Sequence, residues 1–95
     1  MAAYVVVDIE VLEPVEYEEY KKLAAQSVTA YGGRYVVRGG ATEVLEGDWT
    51  PNRLVMLEFP TVAQAQAWWA SPEYSAAKAI RQRTAKTDIV LAAGM

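Results

Sequence analysis

The chain contains no histidine and no cysteine. Those two absences remove whole classes of chemistry. Histidine-based triads, cysteine nucleophiles and zinc sites with Cys or His ligands are all excluded. Acid–base work would fall to Asp, Glu, Tyr or Lys, whose unperturbed pKa values lie far from neutrality. That weighs against hydrolytic catalysis. Positive charge is also in short supply, with nine Lys and Arg against twelve Asp and Glu. A nucleic-acid binder shows a basic patch, and none is visible. Although 53% of the residues are hydrophobic, no run approaches the ~20 apolar residues of a membrane span. The opening MAAYVVVDIE lacks a basic flank and meets Asp8 too soon for a secretory signal, so the cytoplasm is the expected location. Missing cysteine neither supports nor opposes that.

What is present reads as one domain over residues 1–95, with a thin core. From Ala3 the residues alternate. Ala3, Val5, Val7, Ile9 and Val11 share one face, while Tyr4, Val6, Asp8 and Glu10 share the other. That is a strand of period two. Pro14 suits the first position of a helix, and Glu16, Glu18 and Glu19 suit its positive end. Tyr17, Tyr20, Ala24, Val28 and Tyr31 then recur at helical spacing, and Gly32 supplies a left-handed stop. The helix is expected over Pro14 to Tyr31.

A second strand is expected over Arg34–Arg38. After Gly39-Gly40, Thr42 to Glu46 alternates again as a hairpin arm, and Asp48 to Asn52 is a turn by composition. A strand follows over Arg53–Phe59. Thr61 with Gln64 makes a capping box for a helix through Trp68 and Trp69. Ser71-Pro72 restarts the helix to about Thr84, and a last strand covers Thr87 to Ala93. The order β-α-β-β-α-β predicts an α+β, ferredoxin-like domain, an antiparallel sheet with its helices on one face.

The stretch GGRYVVRGG resembles a phosphate cradle only superficially. A Walker loop needs Lys-Ser/Thr and a helix after its glycines, and a dinucleotide fingerprint needs the helix too. Here another strand follows. The glycines are expected to end the helix and to bend or bulge the sheet edge.

The second face of the predicted sheet is not polar at its centre. It carries Tyr4, Val6, Val36, Leu54, Met56, Val90 and Ala92, rimmed by Asp8, Arg34, Arg38, Glu58 and Asp88. An apolar centre inside a charged rim is built like an interface. A homodimer joined sheet to sheet is expected, with Tyr4, Val6, Leu54 and Met56 in its interface. The C-terminus or the arm folding over that face is the alternative.

The segments YGGRYVVRGG, VLEGDWTPNR, LEFPT and WWASPEYSAAKAIR resemble, in order and over nearly the whole chain, an uncharacterised bacterial family. It is the one numbered 1330 in the domain-of-unknown-function series, within the dimeric α+β barrels. The family's recurring positions fall on Tyr20, Gly33, Tyr35, Arg38, Gly39, Gly40, Glu46, Gly47, Trp49, Arg53, Glu58, Phe59, Trp68, Ser71, Tyr74 and Arg81. Trp69 departs from it, standing where the family more often has tyrosine. The resemblance implies a homodimer with facing sheets and implies no reaction.

Three constellations are candidates for function. Tyr74, Lys78 and Arg81 share one face of the last helix, with Ala77 between them and Ala76 and Ile80 on the core stripe. A hydroxyl beside a guanidinium suits an anionic oxygen. The ordinary alternative is an exposed face with Arg81 paired to a sheet carboxylate. Arg38 and Glu58 would face each other across the sheet, with Asp8 as the other acid in reach, either around a ligand or as an interface ion pair. Of Trp68 and Trp69, one belongs to the core, and the other, or Trp49 from its turn, would roof a pocket. The expected ligand-binding residues are Arg38, Glu58, Trp69, Tyr74 and Arg81. The expected activity is binding of a small organic molecule, or an accessory role, without metal or cofactor. The second expectation is a cofactor-independent enzyme, an isomerase or monooxygenase acting on an enolisable or aromatic molecule. There Tyr74, Arg81 and Arg38 would stabilise developing negative charge, with Glu58 or Asp8 as the base.

Overall fold

The alternation that begins at Ala3 becomes β1 (Ala3–Val11), an inner strand of a four-stranded sheet, in the computed structural model, which describes residues 1–95. The other elements are α1 (Pro14–Ala30), β2 (Arg34–Arg38), β3 (Arg53–Phe59), α2 (Val62–Ala70), α3 (Pro72–Thr84) and β4 (Ala85–Ala93). The sheet runs β2-β3-β1-β4, with every neighbouring pair antiparallel. This is the ferredoxin-like α+β arrangement, its second helical segment broken into α2 and α3.

The break has a local cause. Ser71 ends α2 and caps α3: its Oγ donates to the Trp68 carbonyl at 2.7 Å and accepts from the Tyr74 N–H at 3.0 Å. Pro72 then occupies the first helical position. At the end of α1, Gly32 adopts φ of 78°, and the Gly33 N–H closes the turn on the Val28 carbonyl at 2.9 Å. Gly33 can only be glycine there, because a Cβ would sit 2.6 Å from the Phe59 ring.

All three helices lie on the face that buries Ala3, Val5, Val7, Ile9, Val55, Leu57 and Phe59. Tyr17, Tyr20, Ala24 and Val28 of α1 meet them, as do Ala65 and Trp68 of α2 and Tyr74 and Ala77 of α3. The result is a slab of 34 × 31 × 16 Å, one sheet thick and one helix layer thick. Its accessible surface is 5919 Å². A folded monomer of 10.5 kDa is expected to expose about 5,400 Å². The excess agrees with a sheet whose second face no helix covers and with the exposed segment 41–50.

Three features differ from expectation. Thr42 to Glu46 forms no strand, and residues 41–50 are all exposed. Alternation alone cannot hold a strand whose backbone has no partner to bond. β4 starts at Ala85, opposite Val11, because α3 runs straight into it; the N–H groups of Leu12 and Glu13 both donate to the Thr84 carbonyl, at 2.8 and 3.0 Å. The bulge in β2 falls at Val36, not at the glycines: Tyr35 opposes Leu57, Val37 opposes Met56 and Arg38 opposes Val55. One extra residue reverses the alternation beyond it. Arg38 therefore leaves the outer face.

On that outer face the register builds rows across the strands. Arg34, Glu58, Tyr4 and Ala92 form one, and Val37, Met56, Val6 and Val90 form the apolar row beside it. Leu54, Asp8 and Asp88 form the next.

Candidate functional site

Beneath the helices, between α1, α3 and the β2–β3 side of the sheet, a chamber of about 20 Å³ remains. That is room for about one water molecule. Its floor is Val7, Ile9, Val55 and Leu57, and its walls are aromatic: Tyr17, Tyr20, Tyr35, Trp68 and Tyr74. Ala24, Val28, Lys21, Arg38 and Arg53 complete the lining, which contains no Asp or Glu.

Tyr74 is fully buried at the centre of this arrangement. Its hydroxyl lies 3.1 Å from the Tyr20 hydroxyl and accepts from Nε of Arg81 at 3.2 Å. Its ring packs against Trp68, centroids 4.2 Å apart, and Trp69 stands behind at 5.8 Å. Trp68 is itself fixed by its indole N–H, which donates to Ser27 at 3.0 Å. Arg81 is only 5% exposed and makes no ion pair. Burial, reinforced by the Tyr74 hydroxyl, pushes the Tyr20 phenol far above its ordinary range. Burial raises Tyr17 too, against the opposing pull of Arg53, and raises Tyr35 against that of Arg38. These phenols stay protonated and remain donors.

Arg53 shares parity along β3 with Val55, Leu57 and Phe59, so its side chain leaves the sheet on the core side. Its Nε is buried without a hydrogen-bond partner. The guanidinium lies over Gly39, where a Cβ would collide with it, and Gly39 holds φ of 72°. Gly39 alone of the second glycine pair thus makes room for an arginine. Arg38 lies across the Tyr35 ring at 4.3 Å and is exposed.

The expected site residues divide among three places. Arg38 and Tyr74 line the chamber, and Arg81 stands behind Tyr74. Trp69 instead lines a separate apolar cleft of about 230 Å³ with Val5, Ala65, Gln66, Trp68, Ile89 and Leu91. Lys78 covers its ring at 4.0 Å. Glu58 lies on the opposite face of the sheet, where it accepts from Arg34 at 2.7 Å and Tyr4 at 2.9 Å. Those two bonds hold its carboxyl below the usual range. The facing pair of Arg38 and Glu58 is therefore not formed, because the bulge at Val36 sends Arg38 to the other side. Asp8 is no substitute. Its carboxylate accepts from the Trp49 indole at 2.8 Å and the Asn52 N–H at 2.9 Å, which lowers its pKa. Trp49 accordingly ties the turn to the outer face and roofs nothing within.

The face of α3 is also corrected. Tyr74, Ala77 and Arg81 turn into the core while Ala76 is exposed, so neither an exposed Arg81 nor a carboxylate partner is found. Reading α3 by apolar residues alone missed this, because tyrosine and arginine carry the buried stripe. Tyr17, Tyr20, Tyr35 and Arg53 were not singled out for the site. The signal was present in the alternation, which puts Arg53 on the face of Val55 and Leu57. No three His, Cys, Asp or Glu side chains gather into a group that could hold a metal ion. No helix is long and apolar enough to cross a membrane.

Several solved structures share this fold. A protein of unknown function from Rhodopseudomonas palustris is 18% identical, with a TM-score of 0.78 over 99% of this chain and 82% of that one. SnoaB, a cofactor-independent oxygenase from Streptomyces nogalater, is 14% identical, with a TM-score of 0.70 over 99% and 93%. A dimeric ferredoxin-like protein of unknown function from Jannaschia sp. CCS1 is 14% identical, with a TM-score of 0.70 over 96% and 97%. At these identities the likeness is one of fold. No curated protein matches the chain. The profile of the domain of unknown function DUF1330 matches residues 2–95. With the match running over all but the first residue, the chain belongs to the DUF1330 family.

Proposed function

We propose that the protein is a homodimeric module that binds a small organic molecule in the chamber beneath Tyr74, or serves an accessory role through it, without metal or cofactor. One observation carries the ligand reading. Among the buried residues one is charged, Arg81, linked through Tyr74 to Tyr20 and facing no acid. Stability alone does not call for such a cluster, since apolar replacements of buried charged groups are often neutral or stabilising. Entry needs movement of Tyr35 and Arg38, which sit on β2, an edge strand of five residues paired on one side only.

The dimer reading rests on the row of Val37, Met56, Val6 and Val90, with Tyr4 and Leu54 beside it, on a sheet face that no helix covers. Neighbours of the same fold from Jannaschia and from Thermobifida fusca are described as dimeric. The test of the ligand reading is a metabolite screen by thermal shift. At least one compound should raise Tm saturably in the native chain and lose that effect in Arg81→Met and Tyr74→Phe variants that still unfold cooperatively. A binder indifferent to both substitutions would overturn the chamber as its site.

A second reading is a cofactor-independent enzyme, favoured by the same Tyr20–Tyr74–Arg81 chain as a stabiliser of negative charge. SnoaB, of the same fold, carries that description. Neither Glu58 nor Asp8 reaches the chamber, so such an enzyme would lack a carboxylate base. Undiminished turnover in a variant lacking both the Tyr20 and Tyr74 hydroxyls would remove the chain from the mechanism, and no turnover of enolisable or aromatic compounds by the native chain would refute this second reading.

A further inference from the structure

We propose, resting on the reading of the chamber as a ligand site, that its occupant is an organic anion that arrives already ionised: a carboxylate, or an enol or phenol acidic enough to have lost its proton in water. The distribution of charge carries the inference. Acids outnumber bases in this chain, twelve to nine. Its three ion pairs engage Lys21 with Glu18, Arg34 with Glu58 and Arg83 with Glu16. The other bases have no acid partner; among them Arg38 and Arg53 line the chamber, Arg81 stands behind its Tyr74, and no Asp or Glu lines it. Arginine cannot shed its charge on burial, so Arg81 and the buried Nε of Arg53 lack a counter-charge that has to come from outside, while Arg38 adds its charge from the exposed mouth. The buried Nε of Arg53, without a hydrogen-bond partner, marks where it is wanted.

The hydroxyls point the same way. When Tyr74 accepts from Arg81 and donates to Tyr20, the Tyr20 proton is left for an acceptor in the chamber. Neutral phenol donors beside fixed guanidinium groups suit an oxyanion. The chamber also offers no group to create that anion. Both carboxylates of the outer face that the sequence offered as bases, Glu58 and Asp8, are engaged across the sheet. The ligand must therefore bring its charge with it.

At about 20 Å³ the space takes one oxygen of the acidic head, and the rest of the head needs the movement of Tyr35 and Arg38 that entry requires. The body of the ligand would pass the mouth at Arg38, which is exposed and held only across Tyr35. The titratable or charged groups facing the chamber are Tyr17, Tyr20 and Lys21 from α1, Tyr35 and Arg38 from β2, Arg53 from β3, and Tyr74 with Arg81 behind it from α3. β1 and α2 present apolar side chains and Trp68. Tyrosine, lysine and arginine side chains do not ordinarily change charge near neutrality, so the pH dependence of binding belongs to the ligand.

Matched probes test this by calorimetry on the full chain: benzoate against benzamide, and 4-nitrophenol below and above its own ionisation. Benzoate should bind about tenfold or more tighter than benzamide, and 4-nitrophenol should bind only as its anion. Arg38→Gln, at an exposed position that leaves the core intact, and Arg53→Met should each weaken the charged probe about tenfold and benzamide by clearly less. Equal binding of benzoate and benzamide would overturn the anion claim while leaving a ligand site in place. Benzoate binding unaltered in both variants would overturn it as well, by putting the anion elsewhere. If the small probes bind nowhere, the charge of the screen's hits decides. Anionic hits lost in Arg53→Met support the proposal, and uncharged hits refute it. A screen with no hit at all removes both the anion and the chamber as a ligand site.

Discussion

Replacing Tyr74 by phenylalanine is the most direct probe of the buried chain. The ring is fully enclosed and stays, so packing against Trp68 is kept and only one oxygen is removed. That oxygen serves two partners, the Tyr20 hydroxyl at 3.1 Å and Arg81 Nε at 3.2 Å. A neutral hydrogen bond contributes about 1 kcal/mol net, and one to a charged group about 1.5–3 kcal/mol. Both distances are on the long side for their type, so the lower ends apply, and the loss is about 2–3 kcal/mol. Tyr20→Phe breaks only the neutral bond and should cost about 1 kcal/mol. For a chain of 95 residues, 1 kcal/mol shifts Tm by about 4–8 °C, so the two variants should separate clearly. Urea denaturation at fixed protein concentration is the assay, because self-association would otherwise shift the midpoint by mass action. A double-mutant cycle of Tyr74→Phe with Arg81→Met should return a coupling of about 1.5 kcal/mol. Equal costs for Tyr74→Phe and Tyr20→Phe, or a coupling near zero, would show that Arg81 gains nothing from Tyr74.

The two glycines after β2 should behave oppositely. Gly39→Ala forces a left-handed backbone on alanine and pushes Arg53 aside, costing more than about 1 kcal/mol, whereas Gly40→Ala meets open space and should be neutral or stabilising by about 0.4–1 kcal/mol. Equal unfolding midpoints for the two variants would contradict this account of the glycine pair. On the outer face, Val6→Asp or Met56→Asp should convert a dimer to a monomer in sedimentation without unfolding it; an unchanged sedimentation coefficient would move the interface elsewhere. Asp8 is held below its ordinary range by the Trp49 and Asn52 bonds, so its contribution to stability is present above the unfolded value of about 4 and fades as pH falls through the lower folded value. The Trp49 indole N–H resonance should move in that acid range and be displaced already at neutral pH in Asp8→Asn; a resonance insensitive to both would remove the latch.

Much of this fold was legible in order and type. Alternation marked β1 and β3, Gly32 marked the end of α1, and Ser71-Pro72 marked the seam between α2 and α3, because each depends on neighbours within a few residues. The site was less legible. Tyr74, Arg81 and Arg38 were named, yet Tyr74 and Arg81 were expected beside the core stripe of α3 and turned out to form it. Helical spacing shows which residues share a face, while the rotation of that face toward the sheet is decided by what fills the space beneath. Here a tyrosine and an arginine, Tyr74 and Arg81, take the buried side of α3.

The sequence by itself determined the element order, the odd-numbered face of β1 as core, and the exclusion of histidine and cysteine chemistry, since composition and period are local properties. Only the tertiary structure decided that Arg38 leaves Glu58 for the chamber, because a single bulged residue at Val36 reverses every side chain after it and carries no mark in the pattern of Tyr35-Val36-Val37. It alone also brought Tyr20 and Tyr74, 54 positions apart, to 3.1 Å. Contacts of that range arise from the packing of α1 and α3 on one sheet, and no window of sequence contains both.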